Sequence, residues 1–179
     1  MTPTLALLRG INVGKAKRVA MADLRALFED LGFRDVRTLL NSGNVVFTVA
    51  REKKDLGRTL EKAIAQRLGV TSRVTIVTAA ELDAIVAGNP LLNVATNPSR
   101  LMVSVINSAA DMDRLKPLLK RDWGEDRMGV GPRVAYLWCP NSILESELAV
   151  AVAKALGDGV TSRNWTTISK LHAMTSGAT

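Results

Sequence analysis

Residues 9–18, Arg-Gly-Ile-Asn-Val-Gly-Lys-Ala-Lys-Arg, gather two glycines, an asparagine and four cations in one short stretch. Glycine lets the backbone turn with φ above zero and leaves its N–H groups accessible. N–H groups of that kind beside cations receive a phosphate or carboxylate well. Arg9, Lys15, Lys17 and Arg18 supply the charge, and no acidic residue precedes Asp23 to oppose it. Gly10 and Gly14 are spaced G-x-x-x-G. That is neither the dinucleotide pattern G-x-G-x-x-G nor a P-loop with its closing Lys-Ser/Thr. The same residues also make an ordinary strand-to-helix turn with solvated lysines, so they mark a place for an anion without naming a reaction.

Two other polar stretches carry similar chemistry. Asn41-Ser42-Gly43-Asn44 are turn-forming residues whose amides and hydroxyl can also orient a ligand. Residues 161–170, Thr-Ser-Arg-Asn-Trp-Thr-Thr-Ile-Ser-Lys, follow the last acidic residue, Asp158. Thr161, Ser162 or Asn164 there can cap a helix whose first N–H groups favour an anion, with Arg163 beside them. The candidate ligand-binding set is therefore Arg9, Gly10, Asn12, Gly14, Lys15, Asn41, Ser42 and Asn44, completed by Arg163, Asn164 and Lys170. Trp165 reads most simply as core.

The remaining reactive residues are sparse. His172 is the only histidine, so no Ser-His-Asp set can be assembled. Cys139 is the only cysteine, with Trp138 and Pro140 around it, and reads as a buried thiol at a strand end. Glu125-Asp126 and the pair Asp111 and Asp113 are explained as solvated or capping groups. No Cys/His cluster suggests zinc. The sequence assigns no catalytic residue, metal or cofactor, and leaves open whether the chain is an enzyme.

The elements that must position these residues follow from apolar spacing. Residues 5–9 read as a short buried strand. Met21, Leu24, Leu27, Phe28 and Leu31 then follow helical spacing up to Gly32. Residues 36–40 and 45–49 read as a hairpin around the turn at 41–44. A second helix carries Leu56, Leu60, Ala63, Ile64 and Leu68, and residues 74–77 form a fourth strand. Thr78 and Glu81 form a capping box for a linking helix, and residues 88–99, with two prolines, are the best boundary. The second half repeats the order, with strands at 101–106, 127–130 and 133–138. Its first helix carries Met112, Leu115, Leu118 and Leu119, with Pro117 forcing a kink or an end. Its second starts from a capping box at Ser142 and Glu145 and bears Leu144, Leu148, Val152 and Leu156.

The expected fold is α+β: two tandem ferredoxin-like βαββαβ units joined by a linking helix, with a short C-terminal helix. The expected domains are 1–77, a link at 78–99, and 100–179. In such a unit the loop after strand one and the two–three hairpin share one end of the sheet, so residues 9–18 and 41–44 become neighbours.

A net charge of +7 admits nucleic acid and anionic metabolites as partners, whereas 4% aromatic residues leave few platforms for stacking bases. Apolar runs of about five residues exclude a bilayer-spanning helix, which needs about 20. The N-terminus lacks a basic segment followed by a long apolar one, so no secretory signal is expected. A single cysteine suits a reducing cytoplasm.

The words Leu-Leu-Arg-Gly-Ile-Asn-Val-Gly at 7–14, Ser-Gly-Asn-Val-Val-Phe at 42–47 and Arg163-Asn164-Trp165 with Thr166 and Thr167 resemble an uncharacterised bacterial family, the domain of unknown function 1697. Residues 21–27 and 31–33 add to the likeness, which extends over essentially the whole chain. The resemblance implies an α+β fold with ferredoxin-like halves and no established activity. The family pattern has a second glycine after Gly14, where this chain has Lys15, and Ser-Lys-Leu where this chain has Ser146-Glu147-Leu148. Three readings follow: binding of an anionic small molecule or nucleotide at the basic loop, RNA or DNA binding by the basic surface, and a scaffold role without a small ligand. The oligomeric state is not legible.

Overall fold

A computed structural model describes residues 2–14, 18–50 and 54–177. Lys15 and Lys17 lie outside the described residues. The chain divides into two compact units, residues 1–82 with 171–179, and residues 83–170.

In the first unit the order is β1 (Thr2–Leu8), α1 (Met21–Asp30), β2 (Arg34–Leu39), β3 (Asn44–Val49), α2 (Leu56–Leu68) and β4 (Val74–Thr78), followed by α3 (Ala79–Ala87), within which the first unit ends. The sheet runs β2-β3-β1-β4, with every neighbouring pair antiparallel. Leu5, Ala6, Leu7 and Leu8 are fully buried, as expected of a central strand written as a continuous apolar run.

Ala6 and Leu8 of β1, Val45, Phe47 and Val49 of β3, and Val74 of β4 join Leu24, Leu27 and Phe28 of α1 and Leu60 and Ile64 of α2 in one core. The helix α1 ends in a Schellman closure. Phe33 N donates to Phe28 O at 3.2 Å and Gly32 N to Glu29 O at 2.9 Å, with Gly32 at φ 85°. The closure is locked by packing, because the Phe33 and Phe28 rings lie 5.9 Å apart and Phe47 is 4.9 Å from Phe33 and 5.1 Å from Phe28. Such ring pairs contribute about 0.5–1.5 kcal/mol each beyond the buried area.

The second unit contains β5 (Leu101–Ile106), α4 (Lys116–Leu119), β6 (Arg127–Gly131), β7 (Val134–Trp138), α5 (Glu147–Leu156) and β8 (Val160–Asn164), and the helix α6 (Trp165–Ser176) begins in it. Its sheet runs β6-β7-β5-β8, again antiparallel throughout. The two sheets and six helices make the chain an α+β protein.

Two local expectations are corrected here. The helix expected around 112–119 is a 3₁₀ segment, Ala109–Leu115, followed by the single turn of α4. Pro117 sits in that first turn, where its missing N–H removes no helical bond. The capping box expected at Ser142 exists as a 3.3 Å bond from Glu145 N, yet α5 begins only after Ser146. Ser146 Oγ is the true cap, accepting from Ala149 N at 3.0 Å, and Leu144 is left 93% exposed. By contrast, Thr78 and Glu81 do form a reciprocal box, with Thr78 N donating to Glu81 Oε2 at 2.9 Å and Glu81 N to Thr78 Oγ1 at 3.2 Å.

Candidate functional site

The loop after β1 is fixed at its entry by two backbone bonds. Leu8 N donates to Gly43 O at 2.8 Å and Arg9 N donates to Arg73 O at 2.9 Å. Ser72 Oγ donates to Arg9 O at 2.9 Å. The chain therefore leaves the sheet between the β2–β3 hairpin and the start of β4, and Arg9 is half-buried there.

Along residues 10–14 the hand of the backbone alternates. Gly10 (φ 71°), Asn12 (φ 57°) and Gly14 (φ 57°) are left-handed, while Ile11 and Val13 between them are not. Ile11 is buried and Val13 and Gly14 are exposed, so the loop is anchored on one apolar side chain and presents its far half to solvent. Residues 11 and 12 form a hydrogen-bonded turn, which engages Val13 N–H, while the N–H groups of Gly10, Ile11, Asn12 and Gly14 donate to no acceptor among the described residues. Alternation between right- and left-handed residues is one of the backbone patterns from which anion-binding nests are built.

Asn12 holds this shape. Its Nδ2 donates to Val19 O at 2.9 Å and to Asn41 O at 2.8 Å, and its Oδ1 accepts from Val19 N at 2.8 Å. Both donors and the acceptor of the amide are thus spent on backbone, and Asn tolerates the left-handed φ that this demands. Arg18 Nη1 closes the loop from outside by donating to Asn12 O at 2.7 Å.

The hairpin at 40–44 is built to approach this loop. Leu40 (φ 58°) and Gly43 (φ 76°) are left-handed. A Cβ on Gly43 would stand 2.7 Å from Leu8 Cβ and 3.3 Å from Ile11 Cβ, so only glycine allows the contact. Asn44 is buried at the start of β3, where its Nδ2 donates to Leu39 O and to Ser42 Oγ, both at 2.9 Å. Asn41 is exposed, and its side-chain amide has no partner among the described residues.

The loop and the hairpin therefore meet through Leu8 with Gly43 and Asn12 with Asn41, Arg9 is tied to Arg73 and Ser72 instead, and Lys15 lies outside the described residues. Asn12 and Asn44 spend their side-chain amides on the frame, and Gly10, Gly14 and Asn41 are exposed.

Arg163, Asn164 and Lys170 belong to the second unit. Arg163 stands opposite Val103 in β8, its Nη1 donating to Ser162 O at 2.9 Å, and burial pulls its pKa from 12.5 down to about 10. Asn164 is the N-cap of α6, with Oδ1 accepting from Thr167 N at 2.9 Å. Lys170 is exposed on α6.

The same unit contains an arrangement that spacing along the chain did not reveal. Asp126 Oδ2 accepts from Ser146 Oγ at 2.6 Å, and Ser146 Oγ lies 3.3 Å from Cys139 Sγ as its acceptor. Burial pushes the Cys139 thiol above its ordinary 9.0; the Ser146 bond lowers it and the Asp126 charge raises it further. The thiol is held protonated, which suits structure rather than nucleophilic attack. Among the described residues no group of acidic, cysteine or histidine side chains could hold a metal ion. No helix among them is long and apolar enough to cross a membrane.

A pair of four-stranded antiparallel sheets, with a glycine loop latched to a hairpin in the first, defines the class of protein: α+β. The chain belongs to the family described as Protein of unknown function (DUF1697), whose model matches residues 1–136. The loop and the hairpin fall inside that match, and residues 163–167 fall beyond it. The conserved bacterial protein SP0830 from Streptococcus pneumoniae has a similar solved structure, with 25% sequence identity and a TM-score of 0.81 over 98% of this chain and 99% of that one. No curated protein matches.

Proposed function

We propose that the chain binds a small phosphate- or carboxylate-bearing anion on the backbone of residues 10–14. One observation carries this reading: φ is positive at Gly10, Asn12 and Gly14 and not at Ile11 or Val13 between them, and the N–H groups of Gly10, Ile11, Asn12 and Gly14 donate to nothing among the described residues. The Asn12 amide holds the donors in place before a ligand arrives, so little ordering entropy is lost on binding. Arg9 and Arg18 add positive charge, and Asn41 offers a side-chain amide at the edge.

The anion reading is preferred to nucleic acid because the aromatic residues are mostly committed elsewhere. Phe28, Phe33, Phe47, Tyr136 and Trp138 are all buried, which leaves little surface for stacking bases.

We also infer that each unit is ferredoxin-like. Crossing helices follow β1 and β3, and the order β2-β3-β1-β4 is that of a split βαβ unit; β6-β7-β5-β8 repeats it. On this reading residues 78–99 link the two.

Thermal-shift titration with inorganic phosphate, acetate and chloride tests the anion reading. Phosphate raises Tm in the wild type and less so in Arg18→Gln, because ligand binding to the folded state stabilises it. Equal responses to phosphate and chloride, unchanged by the substitution, would overturn it. A loss of affinity for RNA much steeper in salt than for phosphate would favour the polymer instead.

A further inference from the structure

We propose that the second unit carries a binding site of its own, a cavity at the start of α6 that takes a small aromatic carboxylate. The cavity measures about 530 Å³, within the range of small-molecule sites. Its apolar lining comes from Leu92, Ala95, Pro98, Leu101 and Trp165. Leu92 is 46% exposed although it faces this hollow, so its apolar surface stays in water until something covers it.

The polar rim supplies the choice of ligand. Thr166, Ser169 and Lys170 line the same cavity. Neither the Lys170 ammonium, the two hydroxyls nor the Trp165 indole N–H has a partner among the described residues. No acidic side chain lines the cavity, so its one formal charge is positive. An apolar hollow with one cation and several unused hydroxyl and N–H donors matches a flat apolar body bearing a single carboxylate. A ring lies against Trp165 and Pro98, and the carboxylate reaches Lys170 and Ser169. A bare phosphate satisfies the rim and leaves the walls wet. A neutral aromatic satisfies the walls and forgoes the charge-assisted bond to the exposed ammonium.

This site is independent of the one at residues 10–14, and the two report through different nuclei. The test is a titration with 2-naphthoate, 2-naphthamide and inorganic phosphate, followed by the indole N–H resonance of Trp165 in proton–nitrogen spectra. The indole signal is assigned with Trp165→Phe, since Trp123 and Trp138 contribute the other two. The proposal expects saturable movement of the Trp165 signal with naphthoate. It expects affinity about tenfold weaker in Lys170→Gln, the scale of one charge-assisted hydrogen bond, and restored in Lys170→Arg. Naphthamide binding as tightly as naphthoate, or naphthoate leaving the Trp165 signal in place, would overturn it. Naphthoate moving only the amides of residues 10–14 would also overturn it while supporting the first site.

Discussion

The Asn12 side-chain amide donates to the Asn41 carbonyl at 2.8 Å, joining a loop and a hairpin that are 29 residues apart in the chain. This bond turns a glycine-containing connection into a fixed element. With the two bonds to Val19 it holds the left-handed conformation at Asn12 on which the alternating backbone depends.

Replacing Asn12 by Ala removes all three bonds and leaves a residue that resists positive φ. The expected cost is about 2–4 kcal/mol, from two lost bonds to the buried Val19 backbone, one to the exposed Asn41 carbonyl, and left-handed strain. Urea denaturation measures it. Asn12→Gly relieves the strain but not the lost bonds, so it should fall between wild type and Asn12→Ala.

Two glycines with similar φ should respond differently to alanine. Gly43 faces Leu8 Cβ at 2.7 Å, whereas a Cβ on Gly10 meets nothing within 4 Å. Gly43→Ala should cost about 2–4 kcal/mol, strain plus overpacking. Gly10→Ala should cost about 1–2 kcal/mol, the strain alone. Equal losses in denaturation midpoint would contradict the close approach of the hairpin to β1.

Tyr136 is fully buried and donates its hydroxyl to Ile85 O at 2.7 Å. Burial pushes its pKa from 10.0 to about 12. The folded protein thus holds the phenolic proton more tightly than the unfolded chain does. Its contribution to stability is complete below pH 10 and is lost as pH rises toward 12. Because it is the only tyrosine, phenolate absorbance reads it alone. Tyr136→Phe should lose about 1–3 kcal/mol at neutral pH through the unpaired Ile85 carbonyl, and should lack this alkaline slope.

Cys139 should resist thiol reagents in the folded protein. It is buried with its pKa raised by burial, so a disulfide reagent at pH 8 should label it only after addition of denaturant. Rapid labelling of the native protein would contradict its buried setting. Ser146→Ala removes its hydrogen-bond partner and the cap of α5 together, and should destabilise by about 1–2 kcal/mol.

The sequence shows the elements whose causes are local. Leu24, Leu27 and Phe28 announce α1, and Thr78 with Glu81 announces α3, because helical spacing and capping act within four residues. The error at α5 is of the other kind. Ser142-x-x-Glu145 has the right types, but Ser146 is held by Asp126, 20 residues earlier, and the helix starts from there. The roles of Asn12 and Asn44 were obscured similarly, whereas Asn164 caps α6 as its type and place allowed. Residue type marks the first two as able to bind a ligand, while only the folded chain shows that Val19, Leu39 and Ser42 already occupy their amides. The cavity beside Trp165 joins a loop, a strand and a helix far apart in sequence, so no spacing rule could have found it.

The central claim is that the backbone of residues 10–14 receives an anion. It is tested most directly by titrating inorganic phosphate into nitrogen-labelled protein and following the amide resonances of Gly10, Ile11 and Gly14. The account predicts saturable downfield proton shifts at these amides, reduced in Arg18→Gln and abolished in Asn12→Ala under conditions where that variant stays folded. Phosphate that leaves these amides unmoved, or moves exposed amides across both units alike, would contradict it.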